Sequence, residues 1–481
     1  MLNKPAIIRT LGALVLISGI CMLTSVAVSL IMDDGQHMAL LISSLLTVIT
    51  GGTVLLLSKS GSTIGKRDGY FIVTLSWIVF SLFGSLPFII SGAIPSFTDA
   101  FFETMSGFTT TGATILKDIE AVPPSLLYWR SMTQWLGGMG IIVLSLAILP
   151  MLKMGSMQLF IAEVPGVTYD KLHPKLRETA KRLWAIYAAF TLTEMILLMV
   201  AGMPAFDALC HSFTTMATGG YSTKNASIAA FSSPYIHYII TFFMFLAGTN
   251  FALAYFGLHG RFKKIYTNQE FLFYLSMVVA SIIITSLVLA TGINLPFEQA
   301  VREAAFQVVS IITTTGFITA DYLHWGPFLI VLIFLLMFTG GSAGSTGGGI
   351  KMVRLLLLAK NSRLELRRLI HPSAIIPVRY NHRSVPPNII YNVMAFMVFY
   401  FFIAGISGMI IAAMGYDLAT SFSTAAATLG NIGPGLGAVG PVENYSHFPL
   451  FGKWFLSFLM LTGRLELFTV LILFSKWFYR N

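Results

Sequence analysis

The stretch that decides the fold is DAFFETMSGFTTTGA, residues 99–113, because the chain repeats it. DALCHSFTTMATGGY (207–221) and EAAFQVVSIITTTGF (303–317) follow the same plan: an acid, an apolar helical run, then a glycine 13 residues on. SFSTAAATLGNIGPG (421–435), with Asp417 upstream, is a weaker fourth copy. The glycines in register are Gly112, Gly220, Gly316 and Gly433, at intervals of 108, 96 and 117 residues. A near-constant interval of this kind signals a repeated structural unit. Four units of about 100 residues therefore follow two extra N-terminal spans.

Around these copies the chain is apolar. Of 481 residues, 56% are hydrophobic and only 10% charged, and the mean hydropathy is +0.78. Soluble domains carry nearer a quarter charged residues, so a water-soluble enzyme, a nucleic-acid-binding domain and a disordered chain are excluded. Ten runs can cross a bilayer: 7–32, 38–57, 70–94, 127–152, 183–203, 235–259, 271–291, 326–358, 388–414 and 449–478. The first is read as a retained helix rather than a cleaved leader. With the N-terminus inside, 24 of the 30 Lys and Arg residues fall on inside segments, as the positive-inside rule requires. Both termini are then cytoplasmic, and the surplus of basic residues reports topology with no nucleic-acid partner. Acids lean outward, among them Asp99, Glu103, Asp118, Glu120, Asp207 and Glu298. That lean reads equally as surface solubility or as a vestibule that concentrates cations.

Each copy is too short to span and lies on the outer side between two long spans. It reads as a half-length helix dipping inward, followed by extended backbone. Such backbone survives at membrane depth only inside protein or beside a wet cavity. Four loops about one axis would enclose a pore. The acid at each start suits a half-helix N-terminus, and each negative C-terminal end would then face the membrane centre, which favours a cation. The loop runs supply threonine and glycine carbonyls: Thr110-Thr111-Gly112, Thr218-Gly219-Gly220, Thr314-Thr315-Gly316 and Asn431-Ile432-Gly433. Carbonyl rings can replace the hydration shell of K⁺. Thr and Gly also serve plain helix packing, but four copies at one period argue against that.

At these residues the chain resembles the Trk/Ktr/HKT superfamily of potassium transporters, and within it the bacterial TrkH-type members. The resemblance rests on TTTGAT (109–114), QWLGGMGIIVL (134–144), GGYST (219–223), GGSAGSTGGGIK (340–351), NIGPGLG (431–437) and GRLELFT (463–469). It implies an all-α polytopic membrane fold of four helix–pore-loop–helix units around one pore, plus two N-terminal helices. The units would be 1–65 for the extra pair, then 66–165, 166–265, 266–375 and 376–481. It also implies K⁺ bound at the filter residues and no further cofactor. The expected assembly is a homodimer in bacterial inner-membrane lipid, gated by a cytoplasmic nucleotide-binding ring of the TrkA kind. The fourth loop departs from the pattern, with Ile432 and no threonine before its glycine, so one quadrant is expected to be irregular.

The segment from Gly340 to Gly349 packs six glycines (Gly340, Gly341, Gly344, Gly347, Gly348 and Gly349) into an apolar span. Each costs a helix roughly 1 kcal/mol against alanine, so this span should break. No phosphate loop fits, because Lys351 follows Ile350 and no Ser or Thr comes after it. Close helix packing is the plain alternative; the family implies a loop that blocks conduction below the filter. Arg464 lies inside the last span, where a charge is expensive and faces protein or water. It is expected either on the pore axis or in an ion pair with Glu466. Glu194 reads as a buried partner of a neighbouring polar group, and His211 as packed rather than metal-binding. A proton- or sodium-coupled secondary transporter is the main rival, disfavoured because the repeats are parallel and four in number. A membrane enzyme would need a nucleophile or metal cluster, and the sequence offers none.

Overall fold

A computed structural model describes residues 2–58, 65–151, 176–371 and 376–479. It is a helical membrane protein of the expected class. Two antiparallel helices, Lys4–Met32 and His37–Leu57, come first. Asn3 caps the first of them by accepting from Ala6 N. Their seam is made of small residues: a Cβ on Gly51 would lie 2.5 Å from Leu16 N. Small residues let spanning helices approach closely where lipid offers no hydrophobic drive.

Four units follow, each a spanning helix, a half-helix, a loop and a second spanning helix. The half-helices are Phe97–Phe108, Ala205–Met216, Phe297–Ile312 and Leu418–Leu429. Ser96 and Asp417 cap the first and fourth through Asp99 N and Thr420 N. The third is longer than expected, so Glu303 sits well inside it and Glu298 is its first-turn acid. Counting back 13 residues from the glycine assumed one length for all four helices.

Six described helices are long and apolar enough to span: Lys4–Met32, His37–Leu57, Arg67–Ile90, Ala180–Val200, Gln269–Gly292 and Pro387–Ala413. Pro124–Met151 adds a helix of 28 residues. Three expected spans are not straight. Pro234–Ala247 and Phe251–Leu258 meet at 107°, and Leu450–Arg464 and Phe468–Phe474 at 113°. The span at 326–358 breaks as expected, into Pro327–Leu336 and Met352–Ile370. The two unforeseen bends have local causes. Gly248-Thr249 interrupts one helix, and Asn250 recaps it by accepting from Ala252 N at 2.8 Å. In the other, Glu466 and Leu467 both take left-handed backbone, with φ of 57° and 53°.

Candidate functional site

The four half-helices end in the same way. Thr111 N, Gly219 N, Thr315 N and Ile432 N each donate to a carbonyl five residues back, at 2.8–2.9 Å. The preceding Thr110, Thr218, Thr314 and Asn431 donate three residues back. That pair of bonds is the Schellman ending, which needs a left-handed residue at the turn and normally takes glycine there. Here the turn residues are Thr110 (φ 51°), Thr218 (52°), Thr314 (59°) and Asn431 (56°). Left-handed backbone costs an L-residue about 1–2 kcal/mol, and a β-branched residue there is an outlier. Strain repeated at four equivalent places marks a site rather than an accident.

Two residues on, Gly112, Gly220, Gly316 and Gly433 are also left-handed, with φ of 81°, 75°, 82° and 93°. These glycines close a ring. A Cβ on Gly112 would lie 2.3 Å from the Gly219 oxygen, one on Gly220 2.0 Å from Thr315 O, and one on Gly316 1.9 Å from Ile432 O. One on Gly433 would lie 2.7 Å from Thr111 O, which returns to the first loop. All twelve loop residues singled out in the sequence are thus brought together. The fourth loop keeps the backbone of the other three, so its departure is confined to side chains. Asn431 Nδ2 there bridges to Thr111 Oγ1 at 3.0 Å and to Met460 O at 2.9 Å.

Residues that the sequence reading passed over hold the ring from outside. Glu103, counted there with the outward acids, is buried and pairs with Arg130 at 2.7 Å. The Glu103 carboxylate also accepts from Thr114 Oγ1 and Ile115 N, while Arg130 donates to Ser222 O and lies over the Tyr221 ring. Gln134 Nε2 donates to Gly219 O at 2.6 Å, and its oxygen accepts from Tyr221 N. Tyr445 donates to Gly433 O at 2.5 Å, and Tyr322 to Gly435 O at 2.8 Å. Breaking a buried ion pair on one side costs about 3–5 kcal/mol. Arg130→Met should therefore lower the thermal stability of the purified protein by more than Arg130→Met combined with Glu103→Met; a double loss equal to the sum of the two single losses would mean that the pair is not coupled.

The vestibule reading narrows. Asp99 pairs with Lys453 at 2.5 Å, Asp207 accepts from Thr223 at 2.6 Å, and Glu298 pairs with Arg302. Asp118 and Glu120 remain exposed at the mouth, Glu120 with Lys224 Nζ 3.7 Å from its carboxylate. Asn225 Nδ2 donates to Asp118 at 2.8 Å and holds its carboxyl below the ordinary aspartate range.

Below the ring lies the glycine segment, and it is pinned rather than loose. Gly340 N donates to Ile350 O, and Ser342 N to Gly248 O at 2.8 Å. Phe251 N donates to Gly344 O, and Thr346 Oγ1 to Met216 O. The segment thereby satisfies backbone groups freed where the 234–258 helix bends. It touches three of the four loops. Thr218 Oγ1 reaches Thr346 Oγ1, Thr314 Oγ1 accepts from Gly348 N at 2.7 Å, and a Cβ on Gly348 would lie 2.6 Å from Gly430 O. Arg464, buried, donates to Thr346 O at 2.6 Å and to Gly137 O at 3.4 Å. Glu466 is not its partner: that carboxylate pairs with Arg354. Among the described residues Arg464 has no carboxylate within ion-pair distance.

Two remaining side chains resolve differently. His211 is packed, contacting Asp207 O at 2.7 Å and Ser222 Oγ at 2.9 Å, and no group able to hold a metal occurs among the described residues. Glu194 is buried beside the Thr215 hydroxyl, which itself donates to His211 O at 2.8 Å.

Residues 36–479 match the family described as TrkH, cation transport protein. The chain belongs to the TrkH family. It is 42% identical over 479 residues to the Trk system potassium uptake protein TrkH of Halomonas elongata, with 99% of each chain covered. The same identity holds over 481 residues to the protein of that name from Escherichia coli K12, again with 99% of each chain covered. The crystal structure of the potassium transporter TrkH from Vibrio parahaemolyticus superposes with a TM-score of 0.91 at 36% identity, covering 100% of both chains.

Proposed function

We propose that this chain takes up potassium across a bacterial inner membrane as the channel-like, translocating subunit of its system. The observation that carries this reading is the closed ring of four strained half-helix ends. Carbonyl groups of Thr110-Thr111-Gly112, Thr218-Gly219-Gly220, Thr314-Thr315-Gly316 and Asn431-Ile432-Gly433 replace the hydration shell of K⁺. The left-handed turn residues hold that backbone open before the ion arrives. The names and full-length identity of the relatives support K⁺ as the cargo. Asp118 and Glu120 draw cations to the mouth.

The segment 340–349 closes the path beneath the ring, and Arg464 adds an electrostatic barrier. Both termini lie in the cytoplasm, the four units run over 66–165, 166–265, 266–375 and 376–481, and the transported ion is the only ligand the chain requires. The working assembly is a homodimer bound to a cytoplasmic nucleotide-binding ring. Tracer flux into liposomes containing the purified protein tests the reading, with K⁺, Na⁺ and H⁺ gradients applied separately. Downhill K⁺ flux without a second ion supports it; an absolute requirement for H⁺ or Na⁺ favours the coupled transporter.

The ring partner would meet the basic cytoplasmic surface. Lys171 and Lys175, on the inside loop 155–182, lie outside the described residues, but Arg363 and Arg367, toward the end of the Met352–Ile370 helix, are exposed. Arg368 is already engaged, donating to Ile376 O at 2.8 Å and pairing with Glu365. Arg367→Glu should therefore weaken co-purification with the regulator while leaving the fold intact, and Arg368→Glu should also disturb the chain's own packing. Unchanged binding of Arg367→Glu would move the interface elsewhere.

A further inference from the structure

We propose that Glu270 couples a cytoplasmic hairpin to the glycine segment, so that a load on the hairpin moves the segment that closes the path. The inference rests on the reading of 340–349 as a gate and adds the residue that transmits force to it.

The hairpin is well defined. Arg379 pairs with Ser384 and Tyr380 with Arg383, and the two turn residues Asn381 and His382 are both left-handed, with φ of 44° and 66°. Two such residues make the tight turn whose twist matches paired strands. Arg379, His382 and Arg383 face solvent, while Tyr380 is buried. The hairpin is thus stiff, with one side toward the cytoplasm and one into the protein.

Its inward side reaches the glycine segment by two routes. The first is apolar: Ala343, in the middle of the segment, packs in one buried cluster with Val378, Tyr380 and Val385. The second is polar and runs through Glu270. That carboxylate, buried at the start of the Gln269–Gly292 helix, accepts from Ala343 N at 2.6 Å. Its other oxygen lies 3.5 Å from Tyr380 Oη, the outer limit of a hydrogen bond. The neighbouring Gln269 fixes the hairpin's turn: Gln269 N donates to Asn381 Oδ1 at 3.0 Å, and Asn381 N donates back to Gln269 Oε1 at 3.1 Å. Lys360, midway along the Met352–Ile370 helix that follows the segment, donates to Gln269 Oε1 and to Arg379 O. Two adjacent side chains therefore hold the hairpin with one hand and the segment with the other.

A hydrogen bond of 2.6 Å to a buried backbone donor is costly to leave unmade. Ala343 N is otherwise left without an acceptor, since the glycines around it preclude a helix. Removing the carboxylate releases Ala343 N, the segment's polar tie to the hairpin side, while Ser342 N and Gly344 O stay bonded to the 234–258 bend.

The test uses the full-length protein in nanodiscs, reading hydrogen–deuterium exchange over 340–349, with K⁺ flux measured in liposomes. Glu270→Ala should speed exchange of the segment about tenfold and raise flux without any regulator. Glu270→Gln, whose amide oxygen can still accept from Ala343, should fall between wild type and alanine. Tyr380→Phe, which keeps the apolar packing against Ala343 and removes only the hydroxyl that faces Glu270, should speed exchange in the wild type and add little to Glu270→Ala, because both remove one polar link. Unchanged exchange in a folded Glu270→Ala protein overturns the proposal. So does an effect of Tyr380→Phe that multiplies fully with that of Glu270→Ala or, should alanine fail to fold, of Glu270→Gln. Faster exchange with unchanged flux upholds the coupling and sinks the gate reading instead.

Discussion

Replacing Gly316 with serine should reduce K⁺ over Na⁺ discrimination by about tenfold or more, the equivalent of about 1.4 kcal/mol, with expression intact. Two costs fall on the same atom. Gly316 has a φ of 82°, where an L-residue pays roughly 1–2 kcal/mol. Its new Cβ would also lie 1.9 Å from Ile432 O, so that carbonyl must move. Because Ile432 O belongs to the next loop, the displacement passes from the third quadrant into the fourth. Gly202 separates the costs: its φ is 97°, yet nothing lies within 4 Å of a Cβ there. Gly202→Ser should lose some stability and keep wild-type selectivity. Competition of Na⁺ with K⁺ tracer in liposomes reads both variants. Wild-type selectivity on substitution at Gly112, Gly220, Gly316 and Gly433 alike would remove the filter assignment.

The ring was legible because its chemistry needs residue types that recur. A left-handed position at each close approach admits glycine, and glycine leaves a visible period. The strained turn residues were less legible. Thr110, Thr218 and Thr314 occupy a place where the helix ending prefers glycine, and no propensity marks threonine as left-handed. Only the superposition of four equal endings reveals it. The bends at Gly248 and at Glu466-Leu467 were hidden for another reason. Hydropathy measures how apolar a run is and is blind to its direction, so 235–259 and 449–478 read as straight. The clamps around the ring show a third limit. Glu103 looked like an outward acid from its place in the order of spans, but Arg130, 27 residues away in sequence, buries with it. A carboxylate and a guanidinium on two apolar helices of one unit were the available signal. Gln134 stood inside a quoted motif with no role until its amide was found against Gly219 O and Tyr221 N.

Arg464→Ala should raise K⁺ flux in the absence of any regulator without changing which ion is preferred. The guanidinium is buried, no carboxylate pairs with it among the described residues, and its bonds go to two carbonyls. Its position at the end of the Leu450–Arg464 helix suits a cation, since the negative end of the macrodipole lies there. That site holds the charge in place and leaves it uncompensated toward a passing ion. Two unit charges at ~4 Å repel by about 4 kcal/mol at an effective dielectric of ~20, enough to slow conduction by more than a hundredfold. The bond to Thr346 O adds a second role, because it ties the glycine segment to the last helix. Alanine removes both the charge and the tether. Arg464→Lys keeps the charge and loses the planar fork, so it should retain most of the electrostatic barrier while loosening the segment. Shortening the segment within 340–349 should also raise flux, and combining it with Arg464→Ala should give less than the product of the two, since they share Thr346. Lower flux from a normally expressed Arg464→Ala protein would make the arginine a structural brace and leave the segment as the sole barrier. Among the described residues the ion-pair version of that outcome is closed, because Glu466 is held by Arg354 and no other carboxylate reaches Arg464. A brace would have to act through Thr346 O and Gly137 O, and Arg464→Lys would then fail in proportion to the bonds it cannot remake.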